Sequence, residues 1–171
     1  MREILGDYAG VSNFESFLAN DKGADVRAQE AVGKLQGRRF ALASETANNR
    51  RFSEALIKQL TGGDTLIGAK IHASSWEFEP THKNVFLANH LPAIKDATVA
   101  MWGRVRVIPF NKEYLGGNRD LQLREKLMLE REGIFAWLVA GARKYLETGT
   151  LPKIPQACIA ATRAYRDQND L

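Results

Sequence analysis

The sequence predicts an α/β fold, and two observations carry that reading. Turn signals cut the chain into short apolar runs set among amphipathic helical stretches, and no repeat or low-complexity tract interrupts the alternation. The 171 residues, 44% hydrophobic and 26% charged, suit one globular domain or most of one and exclude a disordered or collagen-like chain.

After a polar opening, residues 14–20 (FESFLAN) and 26–35 (VRAQEAVGKL) read as two short helices, the first capped by Asn13. RRFALASE (38–45) is apolar from Phe40 to Ala43 and then turns polar, as a buried parallel strand does when it delivers a functional group at its carboxyl end. RRFSEALIKQLTGGD (50–64) predicts a helix with Ser53 as cap, Phe52 and Ile57 as hydrophobic staple, and Gly62 or Gly63 as the left-handed stop. Residues 65–80 have β-prone ends around a small, basic centre, the pattern of a projecting hairpin with Lys70 and His72 near its tip. KNVFLANHLP (83–92) is expected to form a second buried strand, and GRVRVIPF (103–110) a third that Pro109 closes.

The last third reads as three helices within 121–132, 133–149 and 155–168. In the middle one, Ile134, Trp137, Leu138, Gly141, Ala142 and Tyr145 follow the stripe of a core-facing helix, and Gly149 is placed to stop it. Pro155 is expected in the first turn of the last.

Charge and cysteine content narrow the function classes. Residues 34–112 hold twelve bases against six acids, whereas the flanking segments are acidic or near neutral, so the basic excess points to a polyanion such as nucleic acid or nucleotide. A single cysteine, Cys158, supports neither an internal disulfide nor a multi-thiolate zinc site. No apolar run is long enough for a membrane span, and the opening MREILGDYAG lacks the layout of a signal peptide, so no membrane contact and a cytoplasmic location are expected. His72, His82 and His90 match no zinc-site spacing, and neither G-x-S-x-G nor a Cys/His pair supports a hydrolase.

Three polar residues mark strand ends: Glu45, Asn89 and, at the start of the third run, Arg104. Ligands of open α/β sheets bind outside the carboxyl ends of strands, so Glu45 and Asn89 are expected to share one site. Arg104 begins its run, so it is expected to serve a different molecule. An acid to orient water, an amide to sense a γ-phosphate and an arginine acting in trans are the groups that ATP hydrolysis requires.

The ordered run ASE ending at 45, KQLTGGD ending at 64, WEFEPTHKNVFLANHLP ending at 92 and MWGRVRVIPF ending at 110 resembles superfamily 3 helicases. It is most similar to the helicase part of phage and plasmid primase/helicases. That resemblance implies a partial P-loop NTPase core of the AAA+ type at 1–112, with a projecting β-hairpin, followed by a helical C-terminal segment at 113–171. It implies ATP-driven unwinding in DNA replication by a hexameric ring around single-stranded or forked DNA, with ATP and Mg²⁺ as cofactors. Glu45 would be the Walker B glutamate, Asn89 the sensor and Arg104 the arginine finger. Lys70 and His72 would be the DNA-tracking residues of the hairpin. Lys58, Thr61 and Asp64 belong to the motif before that hairpin; Asp64 is equally a helix-stop residue, and Lys58 reads as surface charge.

Two departures bear on activity. Ser44 stands where many Walker B motifs have aspartate, so Mg²⁺ would fall to Ser44, Glu45 or a phosphate-loop hydroxyl. The sequence also contains no G-x-x-x-x-G-K-[ST]; Gly33-Lys34 is followed by Leu35. In the family a stretch like REILGDYAG follows the Walker A helix, and the chain ends about where a C-terminal DNA-binding domain begins. The expectation is a segment that does not hydrolyse ATP alone and whose sheet lacks a central strand. The competing reading is a non-catalytic remnant that binds DNA through the hairpin and assembles with helicase subunits through Arg104. Trp76 at the hairpin could stack on a base, but packing at its foot is the favoured reading.

Overall fold

The computed structural model describes residues 1–19, 26–44, 50–70, 74–95 and 98–169. In chain order the elements are α1 (Arg2–Leu5), β1 (Ala9–Asn13), α2 (Val26–Gly33), β2 (Phe40–Ser44), α3 (Glu54–Gly62), β3 (Leu66–Gly68), β4 (Trp76–Phe78) and β5 (Lys83–Leu87). Helices α4 (Val99–Trp102), α5 (Leu123–Leu129), α6 (Arg131–Thr148) and α7 (Gln156–Asp167) follow. The fold is mixed α/β, as expected.

Strands β1, β2 and β5 form one parallel sheet in that order, and β3 pairs antiparallel with β4 as the anticipated hairpin. The register sets Asn13 beside Ser44 and Ser44 beside Leu87, so the three carboxyl ends are level. One face of the sheet carries the core. Phe86 of β5 meets Phe14 and Phe17 edge-on, at ring separations of 5.5 and 5.1 Å, and lies 5.3 Å from Phe52. Burial of a ring such as Phe14 or Phe17 contributes roughly 1.5–3 kcal/mol. Ile57 and Leu60 of α3, Val32 of α2, Leu35 just beyond it, and Leu66 and Phe78 of the hairpin complete this cluster. The opposite face is open: Val11 is 66% exposed and Leu87 51%, although parallel sheets are ordinarily covered on both sides. The outer edge of β5 pairs with no strand among the described residues.

Several expectations are corrected. GRVRVIPF does not form a strand. Val105 and Val107 do pack against the core, but the Val107 amide donates to Thr162 Oγ1 of α7 at 3.0 Å. Inward-facing valines are satisfied by packing; a strand also needs a neighbouring ladder, which this segment lacks. Conversely, Ala9–Asn13 of the polar opening is a strand, because pairing with β2 overrides the weak propensity of AGVSN. FESFLAN is reduced to one 3₁₀ turn at Phe14–Phe17, since Leu18 is drawn into a bridge with Phe52. Its cap holds: Asn13 Oδ1 accepts from the Glu15 amide at 3.1 Å. Ser53 precedes α3 without a side-chain capping bond, and Gly63 closes that helix with φ 85°.

The three C-terminal helices form, and Gly149 stops α6 in the left-handed region. The apolar stripe of α6 is not buried, however; Trp137 is 72% exposed, and no residue of the helix is buried. The 3.6-residue period identifies a face suited to a partner, but among the described elements only α1 and α5 make substantial contact with this helix. Pro155 stands one residue before α7, where its carbonyl accepts from the Cys158 and Ile159 amides. Helix α7 is firmly docked. Tyr165 is buried edge-on against Trp102 at 5.3 Å and donates its hydroxyl to the Pro92 carbonyl, and burial raises its phenol above the ordinary range. Asn169 adds a second tie, accepting from the Ile94 amide at 2.8 Å.

At the amino edge of the sheet, the Thr81 hydroxyl donates to the Arg38 carbonyl and the Lys83 amide to the Arg39 carbonyl. His82 between them is 4% exposed, and neither ring nitrogen has a partner among the described residues. Burial, and secondarily the Lys83 charge, lower its pKa from the ordinary 6.5. The folded state therefore resists protonation that the unfolded chain accepts, so stability is full above 6.5 and declines as pH falls below it toward the lowered folded value. Urea midpoints measured from about pH 8 to 5 should fall on the acid side of neutrality. In His82→Phe that decline should flatten; an unaltered acid limb in the variant would assign it to other groups.

Candidate functional site

The level carboxyl edge of the sheet is where the strand-end residues are expected to converge. Ser44 ends β2 and is exposed there, and Asn89 lies two residues beyond β5, also exposed. Glu45 lies outside the described residues, but its neighbour Ser44 is fixed in the ladder. The segments leaving the strands are tied together beyond this edge. The Ala19 amide donates to the Arg51 carbonyl and the Ser53 amide to Phe17; the Phe52 amide donates to Ala93 and the Ala93 amide to Arg50, all at 2.8–3.0 Å. The structure thus sets Ser44 at this edge, with Asn89 two residues past the neighbouring strand, and closes the edge with a second tier of backbone bonds.

That tier brings in Arg50 and Arg51, which in the sequence stand only as the approach to α3. Arg50 is exposed and Arg51 half-buried. Two adjacent guanidinium groups shortly after a strand end, within the basic middle of the chain, are a signal available from sequence alone.

Arg104 sits apart. It lies just past α4, is exposed, and donates from Nη1 to the Ala100 carbonyl at 2.6 Å, which anchors its guanidinium at the end of that helix. Among the described residues it has no hydrogen bond or ion pair to Ser44 or Asn89.

The second group of expected residues lies on α3 and the hairpin. Lys58 is half-buried on α3, and the Thr61 hydroxyl donates back to the Ile57 carbonyl at 2.6 Å. Asp64 is exposed between the Gly63 stop and the first hairpin strand; its Oδ2 lies 3.0 Å from where a Cβ on Gly62 would stand. Lys70 is exposed just past β3, on the tip side of the hairpin, and His72 lies outside the described residues. Trp76 opens β4 opposite Gly68, at the tip-side end of the two-stranded ladder and not at its foot; it is half-buried and donates from Nε1 to Gln36 Oε1 at 2.9 Å, so it packs as expected but in a different place. The hairpin seats on α2 through a bare backbone contact. A Cβ on Gly68 would stand 2.8 Å from the Gly33 Cα and 2.9 Å from the Trp76 ring.

Among the described residues no group of three or more His, Cys, Asp or Glu side chains gathers as metal ligands, and no helix is long and apolar enough to cross a membrane. Oxygen donors for a cation at the sheet edge would come from Ser44 and Glu45.

Comparison with known proteins finds viral relatives that each carry the name "Putative helicase". One from Frog virus 3 is 32% identical over 116 residues, covering 66% of this chain and 12% of the relative. One from Acanthamoeba polyphaga mimivirus is 27% identical over 171 residues, covering 90% of this chain and 18% of the relative. One from Invertebrate iridescent virus 6 is 33% identical over 110 residues, covering 62% and 11%. The chain is thus helicase-like in sequence and spans less than a fifth of the length of these relatives. No family model matches it.

The contact between the hairpin and α2 yields a test. Gly68→Ala places a methyl group against backbone and a ring that cannot both retreat, and should destabilise the chain by about 1–3 kcal/mol in urea unfolding. A midpoint equal to that of the unmodified chain would show that the contact yields without cost.

Proposed function

We propose that this chain is part of an ATP-driven DNA helicase of the superfamily 3 type, acting in replication as a ring, hexameric by the family's habit, on single-stranded or forked DNA. The observation that carries the reading is the level carboxyl edge at which Ser44 ends β2 and after which Asn89 follows β5, on a parallel sheet with an antiparallel hairpin packed on the same core. The likeness to viral proteins named as helicases supports it. The open sheet face and unpaired β5 edge support a P-loop NTPase core of which residues 1–112 are a portion, with residues 113–171 as its helical C-terminal segment.

In this reading Glu45 accepts the proton of the attacking water, and Ser44 with Glu45 offers oxygen atoms to Mg²⁺. Asn89 hydrogen-bonds the terminal phosphate. Arg104, held at the surface by Ala100, reaches the nucleotide of an adjacent subunit and neutralises charge in the transition state. Lys70 and His72 hold the strand's phosphates. Bound ATP supplies the phosphoanhydride that is cleaved. These residues fit the water-activating and sensing side of such a site, whereas the backbone cradle and lysine for the phosphates are not in this sequence. The 171 residues alone are therefore expected to be inactive as an ATPase. That same lack favours a second reading, a non-catalytic DNA-binding or assembly module.

Two experiments separate these readings. Lys70→Ala in this chain should weaken binding of a single-stranded oligonucleotide and reduce the slope of log K against log salt by about one unit; equal affinity and slope would remove the hairpin role. In a chain carrying both this segment and a phosphate loop, Arg104→Ala should lower turnover by about 10³-fold or more with nucleotide binding retained. Glu45→Gln should lower it by about 10²–10⁴-fold. Turnover unchanged by both would leave the non-catalytic reading.

A further inference from the structure

One cavity among the described residues lies away from the sheet edge. It is an open pocket of about 570 Å³ between the end of α4, the extended segment after it and α7. Its lining is of two kinds. Trp102, Ile154 and Ile159 give an apolar wall, and Arg106, Arg163 and Arg166 bring three guanidinium groups to the same space. Asp167 is the single carboxylate.

The walls are rigidly held. Trp102 is 6% exposed and packed edge-on against Tyr165, and Thr162 in the lining is engaged with Val107 and Cys158. Arg106 donates from Nη1 to the Trp102 and Val105 carbonyls at 3.2 and 2.7 Å, which fixes the guanidinium beside the apolar wall. The Trp102 indole Nε1–H is out of solvent and has no acceptor among the described residues, although a buried donor is ordinarily satisfied.

We propose that this pocket binds a nucleotide unit. Guanidinium groups pair with phosphate oxygens by parallel N–H bonds, and the exposed Ile154 and Ile159 side chains, backed by the buried Trp102, receive the flat face of a base. A carboxylate repels a bare anion but accepts hydrogen bonds from a ribose hydroxyl or an exocyclic amine, so the mixture selects a nucleotide over inorganic phosphate. The size lies within the ordinary range of small-ligand sites, roughly 300–1,000 Å³. The unit is either a free mononucleotide or one residue of a strand, and the chemistry is common to both. The inference rests on this lining and not on the roles proposed for Ser44, Glu45 and Asn89.

Titration calorimetry of the 171-residue chain with AMP, ADP, inorganic phosphate and a short oligothymidylate tests it. Saturable binding of a mononucleotide or of the oligonucleotide, tighter than that of phosphate, is expected. Arg163→Gln, on the accessible side of α7, should weaken it roughly tenfold to a hundredfold, leaving the urea midpoint in place. Lys70→Ala should leave mononucleotide binding unchanged, which separates this pocket from the hairpin. Mononucleotide binding tighter than oligonucleotide binding identifies a free-nucleotide site. The reverse order, with AMP competing, identifies a strand site. No saturable binding, binding indifferent to Arg163→Gln, or phosphate binding as tight as that of AMP would each overturn the proposal.

Discussion

Four phenylalanine rings hold the carboxyl edge of the sheet together. Phe86 comes from the end of β5, Phe14 and Phe17 from the turn after β1, and Phe52 from the segment that returns after β2, so one cluster gathers the carboxyl sides of all three strands. The backbone tier from Phe17 to Ala93 can form only because those rings fix the spacing beneath it. Everything assigned to the edge depends on that cluster: Ser44 and Asn89 are short side chains, and their separation is decided by the strands and not by their own reach. Aromatic contacts of this geometry add directional preference to simple burial, which suits a place where position matters more than bulk.

The parts of the fold legible in the sequence are those whose local and tertiary preferences agree. β2 and β5 are short apolar runs with polar ends, α3 has a staple and a left-handed glycine, and the hairpin has β-prone arms around a small centre. β2, α3 and the paired arms of the hairpin form; β5 forms too, but it ends at Leu87 short of Asn89 and none of its residues is buried, against the expectation of a buried strand. The elements that were not legible are decided by neighbours. AGVSN becomes a strand because it pairs along β2, whereas RVRVIPF joins no ladder, its Val107 amide going to Thr162 of α7 although the outer edge of β5 has no strand beside it among the described residues. The stripe of α6 is amphipathic in pattern, but a period reports a face and not whether anything covers it.

The site divides along the same line. That Glu45 and Asn89 share one site is the expectation from the general placement of ligands in open parallel sheets; the register brings Ser44 to the carboxyl edge, and Asn89 follows two residues after the end of β5. Glu45 and His72 fall in segments outside the described residues, so their roles rest on sequence alone. Arg50 and Arg51 are adjacent in sequence, yet only the backbone tier gives them a place beside the edge. The guanidinium cluster at α7 is harder to foresee. Arginines that converge from separate segments, such as Arg106 and Arg163, have no sequence spacing to recognise, because only the docking of α7 through Tyr165 and Asn169 brings them together.

The seat of the hairpin on α2 has a mechanical meaning. Side chains at an interface absorb small displacements by changing rotamer, as a joint with slack does. At Gly33 and Gly68 there are no side chains to turn, and the approach is close enough that a single added carbon collides with the facing backbone. The coupling is therefore stiff. A tilt of α2 passes directly to Gly68 and to Ala69, whose amide donates to the Gln29 carbonyl, and so to the backbone that carries Lys70.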